Sequence, residues 1–108
     1  MIPDPVRPDY AGPNVRGIVP AVLGPRRSMP SWMPGEVSDA SQVVLLVLDG
    51  LGWEQLQERR HLAPTLAGMT GRAITTVAPS TTATALTSIA TGLTPGEHGL
   101  VGYRIDMA

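Results

Sequence analysis

A chain of 108 residues with 43% apolar side chains and a mean hydropathy of +0.08 suits one small globular unit and excludes fibrous and coiled-coil classes. A formal charge of −1 and a pI near 6.0 leave no positive field that would hold nucleic acid or an anionic membrane surface, so neither is expected as a partner. The lack of cysteine removes disulfides, thiolate metal ligands and a cysteine nucleophile together.

Residues 1–41 read as a proline-rich N-terminal arm. Eight of the eleven prolines fall here (Pro3, Pro5, Pro8, Pro13, Pro20, Pro25, Pro30 and Pro34), each removing a backbone donor and restricting the residue before it. Regular structure is not expected; the arm is either a disordered leader or an extended segment clipped to a folded body by Ile18, Val19, Val22, Leu23, Trp32 and Met33. Met1 to Pro5 carries an acid and prolines where a secretory signal needs a basic start and an apolar stretch, and no run of about 18 apolar residues is present. The expected setting is cytoplasmic.

From Gln42 the character changes. Val43-Val44-Leu45-Leu46-Val47-Leu48 is a continuous, β-branched apolar run stopped by Asp49-Gly50, the pattern of a central strand buried on both faces of a parallel sheet. Trp53 to Arg60 reads as a short helix with Trp53, Leu56 and Gln57 on one face, and 64–69 as a second with proline in its first turn. Ile74-Thr75-Thr76-Val77 reads as a second strand closed by Ala78-Pro79. Thr82 to Thr91 has Ala85, Leu86, Ile89 and Ala90 at helical spacing, ends at Gly92 and is followed by Pro95. This is the α/β order.

Several residues have chemical potential. Asp49 stands at a strand's carboxyl end, where open α/β sheets bind ligands and where a carboxylate can reach a cation; ordinary turns use aspartate there too. Pro79-Ser80-Thr81-Thr82-Ala83-Thr84 sets several hydroxyls at a helix start, which stabilises anions and developing alkoxide charge; Ser80 or Thr81 also suits a plain helix cap. A hydroxyl attacks phosphorus at neutral pH only with a base or a cation, and Asp49 makes a cation the more natural helper. His98, between Glu97 and Gly99, is either a ligand or a loop histidine bonded to backbone, whereas His61 after Arg59-Arg60 suits a helix end. Tyr103 and Arg104 are candidate phosphate contacts with no local support. Neither a G-x-x-x-x-G-K-[ST] loop nor a G-x-G-x-x-G turn is present.

Taken together, Val43 to Gly52 resembles the first motif of the alkaline phosphatase superfamily, in which the strand-end aspartate binds metal. APSTTATALTSIATGLTPGEHG, from Ala78 to Gly99, resembles the second motif of its nucleotide pyrophosphatase/phosphodiesterase branch. In that motif a nucleophilic threonine follows a proline by three residues, and a short helix, a threonine-glycine, a proline and a histidine-glycine come after. Thr82 matches the nucleophile, Thr91-Gly92 the helix end and His98-Gly99 the closing pair. Where the family carries an asparagine three residues past the nucleophile, this chain has Ala85.

The resemblance implies an α/β fold, namely the N-terminal part of a three-layer α/β/α alkaline-phosphatase-like domain spanning 42–108 and truncated. It implies a metal-dependent hydrolase of phosphate esters, of phosphodiesterase/nucleotide pyrophosphatase type, acting on a small-molecule phosphate ester or nucleotide through a phosphothreonine intermediate at Thr82. Two divalent metal ions, zinc, are implied, with Asp49 and Thr82 as metal ligands and further ligands expected beyond Ala108. The 108-residue chain is accordingly expected to be inactive by itself. The alternatives are a phosphomonoesterase or phosphomutase of the same superfamily, or a non-catalytic truncated fragment.

Overall fold

The computed structural model of the chain describes residues 4–102. Within them lie helices α1 (Ile18–Leu23), α2 (Gly35–Asp39), α3 (Trp53–Glu58), α4 (Pro64–Ala67), α5 (Thr82–Thr91) and α6 (Pro95–His98). Short 3-10 turns occur at Val15–Gly17, Arg26–Ser28 and Arg60–Leu62. Tyr103 and Arg104 lie outside the described residues.

The arm departs from its expected irregularity. It holds α1 and α2, and its prolines sit where a helix tolerates them: Pro20 is the third residue of α1 and Pro34 the N-cap of α2. The first four N–H groups of a helix have no intrahelical partner, so a proline there forfeits no bond. The arm is packed rather than free, because Val15–Gly17 and α1 both lie against α5. At the end of α5, Gly92 takes φ 73° and donates to the Ser88 carbonyl at 2.9 Å. A Cβ on Gly92 would stand 2.5 Å from Cγ of Pro20, so both the left-handed backbone and the close approach of α1 require glycine.

Helix α5 has the bounds that its sequence announces, but it buries a different face. Thr84 and Ser88, one turn apart, are wholly buried, while Leu86 is exposed and Ala85 and Ile89 are half-buried. The two small hydroxyl side chains have their polar atoms paired. Thr81 Oγ1 donates to Thr84 Oγ1 at 3.1 Å, and Ser88 bonds to His98. The apolar side of α5 instead faces an open cleft of about 660 Å³, walled by Leu46, Leu48, Leu56, Ile74, Leu86 and Ile89.

The two expected strands do not form a sheet among the described residues, where the one ladder contact is a parallel bridge between Asn14 and Thr75. None of the backbone–backbone hydrogen bonds of the described residues involves 43–47, and Val44 is 92% exposed. A run apolar on both sides needs strands at both edges and helices on both faces. Here it meets open grooves instead: the large cleft beside 46–48, and a second of about 280 Å³ between 43–45 and Ile18, Val22, Met33 and Val37. The Cα radius of gyration of 15.1 Å exceeds the roughly 13 Å of a closed domain of this length, as two unfilled grooves would make it. The buried apolar residues among those described are Val77 and Pro95. No described helix is long and apolar enough to cross a membrane.

Candidate active site

Asp49 stands in a turn after the apolar run, where Gly50 takes φ 77° and lets the chain reverse toward α3. Thr82 is the first residue of α5, 33 positions later. The two side chains meet: Thr82 Oγ1 donates to Asp49 Oδ2 at 3.0 Å. A carboxylate on a hydroxyl oxygen fixes the rotamer of that oxygen and polarises its O–H bond.

The neighbouring hydroxyls are placed differently. Thr81 is the N-cap of α5, yet its side chain caps no helix N–H and turns to Thr84, which is buried. Of the two cap candidates, Ser80 and Thr81, Thr81 takes the position without the side-chain bond. Ser80 lines the large cleft with Asp49, Thr82, Ala85 and Arg72. Of Ser80, Thr81, Thr82 and Thr84, Thr82 is the one hydrogen-bonded to a carboxylate.

His98 belongs elsewhere. The Leu100 N–H donates to Nδ1 at 3.0 Å, so the neutral ring carries its proton on Nε2, which donates to Ser88 Oγ at 2.8 Å. Both ring nitrogens are engaged, and Ser88 lies six residues along α5 from Thr82, about 9 Å at 1.5 Å per residue. His98 therefore fastens α6 to α5 and is not free to ligate a cation. His61 lies exposed in the Arg60–Leu62 turn. Glu97 closes the start of α6: its Oε1 accepts both the Thr94 N–H and the Thr94 hydroxyl at 2.9 Å. The backbone bond first and the hydroxyl second hold the Glu97 carboxyl below the ordinary carboxylate range, with smaller help from Arg16 and His98.

As a metal site the pair is suitable but partial. A carboxylate and a hydroxyl side by side at an accessible position are donors that a hard or borderline divalent cation accepts. They supply two of the roughly four donors such an ion takes. No cluster of three or more His, Cys, Asp or Glu side chains occurs among the described residues.

The family model for type I phosphodiesterase/nucleotide pyrophosphatase matches residues 43–106. The chain belongs to this family. No curated protein and no solved structure gave a match. The type I phosphodiesterase match spans the apolar run, Asp49, Thr82 and His98, and leaves the arm outside. It brings with it an alkaline-phosphatase-like fold and a hydrolase family, while the layers of that fold are not assembled among the described residues.

Two features of this chain escape a reading of its sequence. Asn14 is fully buried although it sits among prolines and glycines, and no local pattern marks it. Ser88 as the partner of His98 had a faint signal in the small-residue row Thr84, Ser88, Thr91, which the stronger apolar row of α5 masks.

Proposed function

We propose that the chain carries the nucleophile-bearing portion of a phosphate-ester hydrolase of phosphodiesterase/nucleotide pyrophosphatase type, with Thr82 as nucleophile and Asp49 beside it as a metal ligand. The single observation behind this reading is the Thr82 Oγ1 to Asp49 Oδ2 hydrogen bond of 3.0 Å. The family match supports the class of reaction and of substrate, a small phosphodiester or nucleotide. In this reading residues 42–108 form the N-terminal portion of a three-layer α/β/α catalytic domain, and 46–48 and α5 are two walls of its unfilled core.

Asp49 accepts the Thr82 proton in a hydrogen bond and holds the oxygen toward the cleft. The oxygen sits at the first residue of α5, where backbone N–H groups left without a side-chain cap favour a phosphoryl oxygen. In-line attack by Oγ1 forms a P–O bond to Thr82, releases the hydroxyl proton to water, and breaks the bond to the leaving alcohol or phosphate. Water then cleaves the Thr82–phosphoryl bond, regenerating the hydroxyl and releasing a monoester from a diester substrate, or phosphate from a monoester. Two divalent cations, zinc by the family resemblance, would be held by Asp49 and Thr82 with donors from outside the described residues, and supply charge neutralisation at the phosphoryl group when bound.

Ala85 lines the cleft one turn after Thr82 and offers a methyl group there, with no side-chain donor for a phosphoryl oxygen. This favours, as a second reading, a phosphomonoesterase or phosphomutase of the same superfamily. Parallel assays on nitrophenyl phosphate mono- and diesters separate the two. The test of the main reading is mass spectrometry of a catalytically active form quenched during turnover of a diester: a phosphoryl group still carrying the retained ester is expected on Thr82, and the same adduct on Ser80 or Thr81 would overturn it.

A further inference from the structure

The arm that stands outside the family match is tied to the segment that delivers Thr82. Asn14 has no exposed surface; its Nδ2 donates to Thr75 Oγ1 at 2.9 Å and to the Thr76 carbonyl at 3.1 Å, and its Oδ1 accepts the Arg16 N–H at 3.0 Å. Backbone bonds flank it, from Val15 N–H to the Thr75 carbonyl at 3.0 Å and from Thr75 N–H to the Pro13 carbonyl at 2.9 Å. The Thr75 hydroxyl donates to the Pro13 carbonyl and accepts the Asp9 N–H, both at 2.9 Å. Further along, the Ala78 N–H donates to the Tyr10 hydroxyl at 3.1 Å.

These bonds end at Ala78, four residues before Thr82. On the other side of the Pro79–Thr81 turn, the same arm packs against α5 through Val15–Gly17 and α1. The turn is thus held at both ends by one stretch of chain. Asp49, by contrast, lies just beyond residues 43–47, which have no backbone hydrogen-bond partners among the described residues, so the apolar run supplies little to fix the distance between the two side chains. A buried amide with its donors satisfied admits one geometry, because any shift strands a polar group away from water.

We propose that residues 9–17, centred on Asn14, form a positioning clamp: Asn14 and Thr75 act through 75–79 to set where the Thr82 hydroxyl stands relative to Asp49. Asn14 is a positioning residue and touches no reacting atom. The functional weight of the clamp rests on the reading of Thr82 as nucleophile, but its existence does not. The arm is accordingly a working part of the catalytic unit, and the boundary near residue 41 is not a structural one.

The test uses the whole 108-residue chain with threonine methyls labelled for NMR. Asp49→Asn is introduced into the parent chain and into the Asn14→Asp chain, in which an acceptor replaces the Nδ2 donor. In the parent, Asp49→Asn is expected to shift the Thr82 methyl signal; in the Asn14→Asp chain that response is expected to fall by half or more, with Thr87 and Thr91 signals of α5 unchanged. Thr75→Ser, which keeps the hydroxyl, is expected to retain the full response, and Thr75→Val to lose it. Tyr10→Phe removes a single bond and serves if the Asn14 variant does not fold; it is expected to raise amide exchange at Ala78 about tenfold or more. A full response in Asn14→Asp and Thr75→Val, or unchanged Ala78 exchange in Tyr10→Phe, would overturn the clamp alone. No response in the parent chain would instead strike at the Thr82–Asp49 pairing itself.

Discussion

Thr82 Oγ1 and Asp49 Oδ2 stand 3.0 Å apart although 33 positions separate them in sequence, and no other hydroxyl of the Ser80–Thr84 cluster is hydrogen-bonded to a carboxylate. In a catalytically active form, Thr82→Ala is expected to lower kcat by about 10⁴-fold or more, the scale for a covalent nucleophile. Thr81→Ala, which breaks only the Thr81–Thr84 bond, should cost little. Steady-state kinetics on both variants checks this. Activity in Thr82→Ala with loss in Thr81→Ala would move the nucleophile by one residue.

Asp49→Asn keeps the shape of the side chain and removes its charge. A divalent cation loses an anionic donor, so affinity is expected to fall at least about tenfold, read as metal retained after dialysis of an active form. Unchanged stoichiometry and affinity would leave Asp49 as a turn residue.

Because both ring nitrogens of His98 are occupied, its removal should register in stability and not in metal uptake. His98→Ala leaves the buried Ser88 hydroxyl without its partner and is expected to cost about 1–3 kcal/mol. Ser88→Ala in the same chain should relieve part of that loss, since no polar group is then stranded. Urea titrations of the two single variants and the double variant form the cycle.

Glu97 gives a pH signature of known sign. Its folded pKa lies below its unfolded one, so its stabilisation is fully present above the unfolded value near 4.5 and fades as pH falls through the lower, folded value. Melting temperatures of the parent and Glu97→Gln are expected to differ above pH 5 and converge on acidification. A constant gap across the acid range would show that the carboxylate charge does not matter at the start of α6.

What the sequence disclosed follows the range of the physics involved. Helix α5 was legible to the residue because its stop is local: Gly92 in the left-handed region and Pro95 three residues on. Asp49 and Thr82 were legible as candidates through motif spacing, but their contact was not, since nothing local encodes a hydrogen bond across 33 positions. The helices of the arm escape the sequence reading because eight closely spaced prolines argue against regular structure in 1–41, whereas Pro20 and Pro34 stand at helix starts. Helical spacing marks Ala85, Leu86, Ile89 and Ala90 as an apolar row of α5. The buried positions are instead Thr84 and Ser88, while the sheet that would cover Ile89 is not formed among the described residues.

The 108-residue chain by itself is expected to melt broadly and to hydrolyse no nitrophenyl phosphate mono- or diester with added zinc. Two cations need about four donors each to displace water and hold geometry, and the described residues gather two oxygens at the candidate site. Both cations would be underbound. The apolar run meets water along 43–48, with exposures from 41% at Val47 to 92% at Val44, so little apolar burial favours the folded state there. Its unpaired backbone groups are a template for pairing with another copy. Differential scanning calorimetry at several protein concentrations tests the first half: a weak transition that turns into aggregation as concentration rises is expected. A sharp two-state melt with zinc-dependent turnover would overturn this account, because the remaining donors would then have to come from residues placed differently from those described, or from a second copy of the chain.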